Sequence, residues 1–273
     1  MAGRRAFILG HPIAHSRSPM LHGYWLRTLA IEGSYEPIDM PPERLGDFFA
    51  TMQAQAFVGG NITVPNKVAA MPFMDRLEDE ARVIGAVNTV WVESGALVGG
   101  NTDAAGFVAH LDETAPGWAG PALVLGAGGA ARAAVHGLRA RRVPVDIVNR
   151  TYAHAAALAD RFGTGVRAHP WDARATLLRG VGLLVNTTSL GMSGKPPLQL
   201  DLSGLPRRAV VYDIVYVPLE TDLLREAKVR GHRVVDGLGM LLHQAVPGFA
   251  RWFGVTPRVT PELRALLEAD VRG

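Results

Sequence analysis

Residues 59–67 read GGNITVPNK and end on a lysine, in a chain that otherwise draws its positive charge from arginine. Of 28 basic side chains only Lys67, Lys195 and Lys228 are lysine, which leaves 25 arginines. A surface charge tolerates either residue. A proton donor does not, because guanidinium stays protonated while an ammonium gives up its proton when its surroundings are tuned. Lys67, two residues after Pro65, is therefore a candidate acid/base group.

Further polar clusters surround it in the first hundred residues. HPIAHSRSPMLH (11–22) sets Ser16 and Ser18 on either side of Arg17 at a predicted helix start. Two hydroxyls beside free helix N–H groups suit a carboxylate; simple capping of the helix by Ser18 is the plain alternative. The run before Lys67 adds Asn61 and Thr63, while GAVNT and GGNTD add Asn88, Asn101, Thr102 and Asp103. One such cluster at a strand end is ordinary turn chemistry. Several together point to a site for a polar ligand.

A different chemistry begins at LGAGGAA (125–131). Gly126, Ala127, Gly128, Gly129, Ala130 and Ala131 follow the G-x-G-x-x-G/A spacing between a predicted strand and a predicted helix. Glycine permits the tight turn, and the helix N-terminus behind it favours pyrophosphate. The next strand ends IVNRT, placing Asn149, Arg150 and Thr151 where NAD-binding versions carry an acid for the ribose hydroxyls. An arginine there pairs with a 2′-phosphate and a carboxylate would repel it, which favours NADP; a solvated arginine opening a helix is the bland alternative.

These groups need elements to hold them. The pattern predicts strands at 5–10, 34–40 and 57–64, helices at 18–33 and 42–54, and a hairpin of 86–93 with 96–103 turning at Ser94-Gly95. Ser18 is expected to cap the first helix and Gly33 to end it. From 120 the texture changes to buried-type strands (120–125, 143–151, 181–188, 208–216, 232–237) alternating with helices (through 141, 152–162, 220–231). That alternation argues for a parallel sheet wound on both faces. The organisation expected is α/β: a mixed α/β domain over 1–103, a doubly wound dinucleotide domain over 104–236, and C-terminal helices over 237–273 that return to the first domain.

Composition sets outer limits. At 273 residues there is chain enough for one large domain or two modest ones. The apolar run AFILG is too short for a secretory segment, and no run approaches the roughly 20 residues of a membrane span. Without cysteine there are no disulfides, thiolate catalysis or cysteine zinc sites, which suits a cytoplasmic protein. A net charge of +3, with arginines scattered rather than striped among aromatics, argues against nucleic acid. No membrane partner and no metal are expected.

Taken in order, the motifs resemble the shikimate dehydrogenase family over essentially the whole chain. GHPIAHSRSPMLH is similar to the family's serine motif, GGNITVPNK to its lysine motif, GAVNTV to its asparagine motif and GGNTDAAGF to its aspartate motif. GAGGAARA, NRT, NTTSLGM, YDIVYVPLETDLL and DGLGMLLHQA continue the series. The resemblance implies a substrate domain followed by a Rossmann-type domain, and reversible NADPH-dependent reduction of 3-dehydroshikimate to shikimate in aromatic amino-acid (chorismate) biosynthesis. It implies Ser16 and Ser18 on the substrate carboxylate with Tyr216 nearby. It places Thr63, Asn88, Asp103 and Gln244 on ring hydroxyls, and Lys67 as acid/base within reach of Asp103. The glycine turn would take pyrophosphate, Asn149 to Thr151 the adenosine phosphate, and Thr187, Ile214, Gly237 and Met240 would lie around the nicotinamide. The partner implied is this small molecule, bound by a monomer or homodimer.

The sequence departs from the family at Gly23, Asn66, Ala104 and His154. His154 stands where a second basic residue is common, and a neutral histidine weakens a phosphate clamp. Quinate or amino-shikimate as substrate, a non-catalytic sensor and a folate-linked dehydrogenase are the competing readings. Retention of both Lys67 and Asp103 speaks against a sensor, and the serine and GGNTD motifs speak against folate chemistry.

Overall fold

A computed structural model of the chain describes residues 3–272. It divides into two compact units: the chain up to Asp103 with Gln244–Leu267, and Ala104–His243 with the residues from Glu268 onward.

The first unit begins β1 (Arg4–Gly10), α1 (Ser18–Thr28), β2 (Gly33–Asp39), α2 (Leu45–Thr51) and β3 (Phe57–Ile62). A two-residue β4 (Arg76–Leu77), α3 (Asp79–Ile84) and the hairpin β5 (Thr89–Glu93)–β6 (Ala96–Gly100) complete it. The sheet order is β2-β1-β3-β5-β6-β4. β1 runs parallel to β2 and β3, whereas β5 is antiparallel to both β3 and β6. The ends of β1, β3 and β6 and the start of β5 therefore share one edge of the sheet, and every polar motif of this unit follows or precedes one of them. The core beneath is apolar: Phe7 meets Phe48 and Phe57 edge to face, at ring separations of 5.0 and 5.3 Å.

The second unit holds α4 (Asp103–Thr114, from its second residue), β7 (Ala122–Leu125), α5 (Gly129–Ala140), β8 (Val145–Asn149), α6 (Tyr152–Phe162) and β9 (Val166–Pro170). Then come α7 (Arg174–Leu177), β10 (Leu183–Asn186), β11 (Val210–Asp213), α8 (Asp222–Val229) and β12 (Arg233–Val235). All six strands are parallel in the order β12-β11-β10-β7-β8-β9. The strand order reverses between β7 and β10, which makes the topological switch point of a doubly wound sheet.

Two more helices follow, α9 (Gly237–Phe253) and α10 (Pro261–Arg272). The division between units falls inside α9, after His243, rather than at its start. Its first turns belong to the second core, where Met240 is buried and Gly239 lies against the His110 ring. Its last turns belong to the first, where Trp252 Nε1 donates to Val90 O at 2.8 Å and Arg4 donates to Trp252 O at 3.0 Å. Among the described residues no helix is long and apolar enough to cross a membrane.

The two-sheet α/β architecture is the one expected; several boundaries are not. α1 stops at Thr28, five residues before Gly33, because Ala30 takes φ of 52° and the chain turns there without glycine. Ser18 is the first helical residue and Arg17 occupies the cap, with no side-chain cap bond. The 42–54 helix is a 3₁₀ turn (Pro42–Arg44) leading into a seven-residue helix. β9 is a strand that the sequence pattern does not predict, since its sequence VRAHP carries polar residues. Those residues are held by a buried acid: Asp146 on β8 accepts from Arg167 at 2.8 Å and pairs with His169 at 2.7 Å.

One buried histidine gives this fold a pH dependence. His22 stacks on Tyr35 with ring centres 4.0 Å apart, in a cage with Trp25, Phe249 and Trp252. Burial pushes its pKa down to about 3, only partly offset by the Asn61 side chain. The unfolded chain takes up a proton near pH 6.5 that the folded chain refuses. Stability from this group is thus complete above about 6.5 and lost as pH falls toward 3, by on the order of 4 kcal/mol. His22→Phe keeps the stack without the titration, so acid unfolding followed by tryptophan fluorescence should shift to lower pH; an unmoved acid midpoint would refute the assignment.

Candidate active site

The lysine motif turns immediately beyond β3. Thr63 N–H donates to Leu9 O at 2.9 Å, and the Lys67 carbonyl accepts from Val87 N–H at 2.8 Å, so the turn is fastened on both sides. Asn66, a departure from the family pattern, is fully buried and donates to Met40 O at 2.7 Å. It pins the backbone next to the lysine through its amide nitrogen, while its Oδ1 is buried without a hydrogen-bond partner.

Lys67 and Asp103 meet directly, with Nζ 2.5 Å from Oδ2 and side chains only 17% and 6% exposed. The other carboxylate oxygen accepts from Asn88 Nδ2 at 2.8 Å. Asn88 is the hub of the cluster. Its amide nitrogen also lies 3.0 Å from Thr102 Oγ1 and 3.2 Å from Gln244 Oε1, and its Oδ1 accepts from Thr102 N–H and the Thr89 hydroxyl, both at 2.8 Å. Asn101 fixes the aspartate from below: it donates to Ala86 O at 2.9 Å and accepts from Asp103 N–H at 3.0 Å. An ammonium so held is oriented, with a carboxylate that has no freedom left to turn away.

Ser16 and Ser18 lie in the loop after β1 and at the start of α1; Ser18 is buried and its N–H donates to Ser16 Oγ at 3.3 Å. That loop and the lysine turn are neighbours, since His11 N–H donates to Val64 O at 3.1 Å. Seven of the expected residues (Ser16, Ser18, Thr63, Lys67, Asn88, Asp103, Gln244) thus fall in the first unit, whereas Tyr216 lies half-buried in the second, after β11.

The second unit presents the glycine turn at its switch point. Gly126 takes φ of 106°, and a Cβ there would stand 2.7 Å from Thr187 Oγ1, so glycine is required. A Cβ on Gly128 would meet no atom within 4 Å, which leaves open space ahead of α5 where a pyrophosphate fits. Ala127, Gly129 and Ala130 are partly exposed around it. Thr187 is tied to the same turn, its hydroxyl donating to Leu125 O at 2.6 Å. At the end of β8, Asn149 donates to Thr151 O at 2.9 Å, while Arg150, Thr151 and His154 are exposed. Ile214, Gly237 and Met240 come together: a Cβ on Gly237 would stand 2.1 Å from Ile214 O, and Ile214 and Met240 share one apolar cluster. These residues fit a dinucleotide in kind and placement. Among the described residues one group of potential metal ligands, His110, Glu113 and His243, lies within 4.8 Å. His243 Nε2 pairs with Glu113 at 2.8 Å and His110 Nδ1 lies 3.3 Å from the Thr114 hydroxyl, while the buried His110 Nε2 makes no hydrogen bond and lies 3.7 Å from Asp236 Oδ1.

Residues 8–90 match the family model of the shikimate dehydrogenase substrate binding domain, residues 118–191 that of shikimate/quinate 5-dehydrogenase, and residues 237–267 that of the shikimate 5′-dehydrogenase C-terminal domain. A shikimate dehydrogenase (NADP⁺) of Mesorhizobium japonicum is 57% identical, covering 99% of this chain and 98% of its own. The shikimate 5-dehydrogenase of Thermus thermophilus, solved with NADP(H) and shikimate, superposes with a TM-score of 0.86 at 41% identity over 98% of this chain and 99% of its own. Quinate dehydrogenase of Corynebacterium glutamicum with NAD gives 0.88 at 28% identity over 98% and 99%.

The sequence marks most of this network, Asn61, Asn101 and Thr102 included, but not Tyr35 or Thr89. Tyr35 donates to Asn61 Oδ1 at 2.6 Å, and Asn61 donates to Asn88 O at 3.1 Å, so a phenol on β2 braces the asparagine motif. Nothing in a strand pattern marks such a tyrosine except that a buried phenol needs a partner. Asn88→Ala strands several buried partners at once. Urea unfolding should show a loss of about 2–4 kcal/mol, and a midpoint equal to that of the unmodified chain would mean the cluster does not hold this unit together.

Proposed function

The chain belongs to the shikimate dehydrogenase family, and from that premise we propose that it reversibly reduces 3-dehydroshikimate to shikimate with NADPH, as a step of aromatic amino-acid (chorismate) biosynthesis. The observation that carries the reading is the Lys67–Asp103 pair locked by Asn88. A sensor needs a pocket but not an oriented proton donor.

Bound NADPH supplies the hydride that reaches the carbonyl carbon. The oxygen then becomes an alkoxide, and Lys67 Nζ gives it a proton; in the reverse direction Lys67 takes that proton from the substrate hydroxyl. Asp103 keeps the ammonium aimed and accepts from a neighbouring ring hydroxyl. Thr63, Asn88 and Gln244 pair with the remaining hydroxyls, since a hydroxyl-rich ligand discriminates by leaving no buried group unpaired. Ser16 and Ser18 take the carboxylate, with Tyr216 at that end. Gly126 to Ala130 take the pyrophosphate, and Thr187, Ile214, Gly237 and Met240 surround the nicotinamide. Asn149, Arg150 and Thr151 hold the 2′-phosphate. Quinate with NAD is the second reading, and the lack of an acid at 149–151 disfavours it. We place the enzyme in the cytoplasm as a monomer or homodimer acting on a small molecule.

Shikimate or quinate with NADP⁺ or NAD⁺, followed by absorbance of the reduced nicotinamide, tests the whole reading: shikimate with NADP⁺ should be the best pairing, and no turnover with any pairing defeats it. Lys67→Ala should lose roughly 10²–10⁴ in turnover while calorimetry still detects shikimate binding; near-normal turnover would remove the lysine from the proton's path. Arg150→Asp should lower kcat/KM for NADP⁺ by about tenfold or more relative to NAD⁺. An unchanged ratio would show that the 2′-phosphate is read elsewhere.

A further inference from the structure

Asp213 ends β11 with no exposed surface. Its Oδ1 accepts from Asn186 Nδ2 at 2.9 Å and from Val215 N–H at 3.1 Å, and its Oδ2 accepts from the Thr221 hydroxyl at 2.7 Å. All three donors are neutral. Burial accordingly pushes the carboxyl up to about 6, against the pull of these bonds.

The orientation of Asn186 leaves no slack. It ends β10, wholly buried, and its Oδ1 accepts from the Thr188 N–H at 3.0 Å and the Thr188 hydroxyl at 2.7 Å. A backbone N–H can only donate, so the amide nitrogen must face Asp213, with its second hydrogen directed to Leu190 O at 3.2 Å. Thr221 caps α8 through the Leu224 N–H at 3.3 Å. One carboxylate therefore knits together the segment after β10, the segment after β11 and the start of α8.

Those segments lie on one side of the switch point. A dinucleotide spanning a doubly wound sheet places one mononucleotide on each half. With the glycine turn after β7 and the adenosine phosphate at the end of β8, the nicotinamide half falls to β10 and β11. We propose that Asp213 is a positioning residue for the nicotinamide half of the cofactor, fixing through Asn186 and the Val215 N–H the two segments that carry Thr187 and Ile214. The inference rests on the dehydrogenase reading above.

The test compares NADP⁺ with 2′,5′-ADP, which keeps the phosphorylated adenosine half and lacks nicotinamide, by calorimetry on the full chain. Asp213→Ala should weaken NADP⁺ at least tenfold and lower kcat, while the Kd for 2′,5′-ADP stays within about twofold. Asp213→Asn should recover most of the loss, because its carbonyl oxygen still accepts from Asn186 and Val215 and its amide can face the Thr221 oxygen. Equal weakening of both ligands, or of neither, overturns the proposal. Should Asp213→Ala not fold, Asn186→Ala cuts the same link from the β10 side and is judged by the same comparison. Failure of the unmodified chain to bind either ligand defeats the cofactor reading itself, which is a separate result from any effect of Asp213.

Discussion

The Asp103 carboxylate has one oxygen on an ammonium and the other on an amide, and the architecture of the first unit follows from keeping both bonds. Lys67 arrives after β3, Asn88 just before β5, and Asp103 just after β6. Three segments far apart in sequence can meet only if the intervening strands bring their ends to one edge, which the parallel β1–β3 and antiparallel β3–β5–β6 arrangement does. A buried polar group left unpaired costs about 1–3 kcal/mol. A slip of register at any of these strands would expose the cluster to that cost several times over, so the chemistry and the sheet order constrain one another.

The second unit solves a similar problem with a different charge balance. Asp213 also joins segments at strand ends, but its partners are an amide, a backbone N–H and a hydroxyl. Near an ammonium a carboxylate gains from its charge; among neutral donors it keeps the desolvation cost, and its pKa rises to about 6. Such a group is expensive to bury. Its place on β11, beside Asn186 and one strand from the switch point, is where loop position matters for a dinucleotide.

The fold was legible where periodicity or glycine spoke clearly. The alternation from β7 onward, β9 apart, the fingerprint at 125–131 and the hairpin turn at 94–95 all appear as read. The readings failed where local signals and tertiary context parted. Gly33 reads as a helix end, yet α1 ends earlier, with Ala30 turning the chain at a φ of 52°. β9 carries arginine and histidine that mark a loop until Asp146 on the adjacent strand satisfies both.

What the sequence determined by itself is the chemistry available: a lysine where the chain otherwise uses arginine, hydroxyls and amides at strand ends, a glycine turn and an arginine where an acid would exclude phosphate. Residue types and their spacing carry that information because functional groups do not change on folding. What only the tertiary structure decided is which groups touch, and hence which are held. Lys67 and Asp103 are 36 residues apart in sequence and 2.5 Å apart in space. The bracing roles of Tyr35, Asn186 and Asp213 are invisible in one dimension, because they satisfy buried partners contributed by other segments.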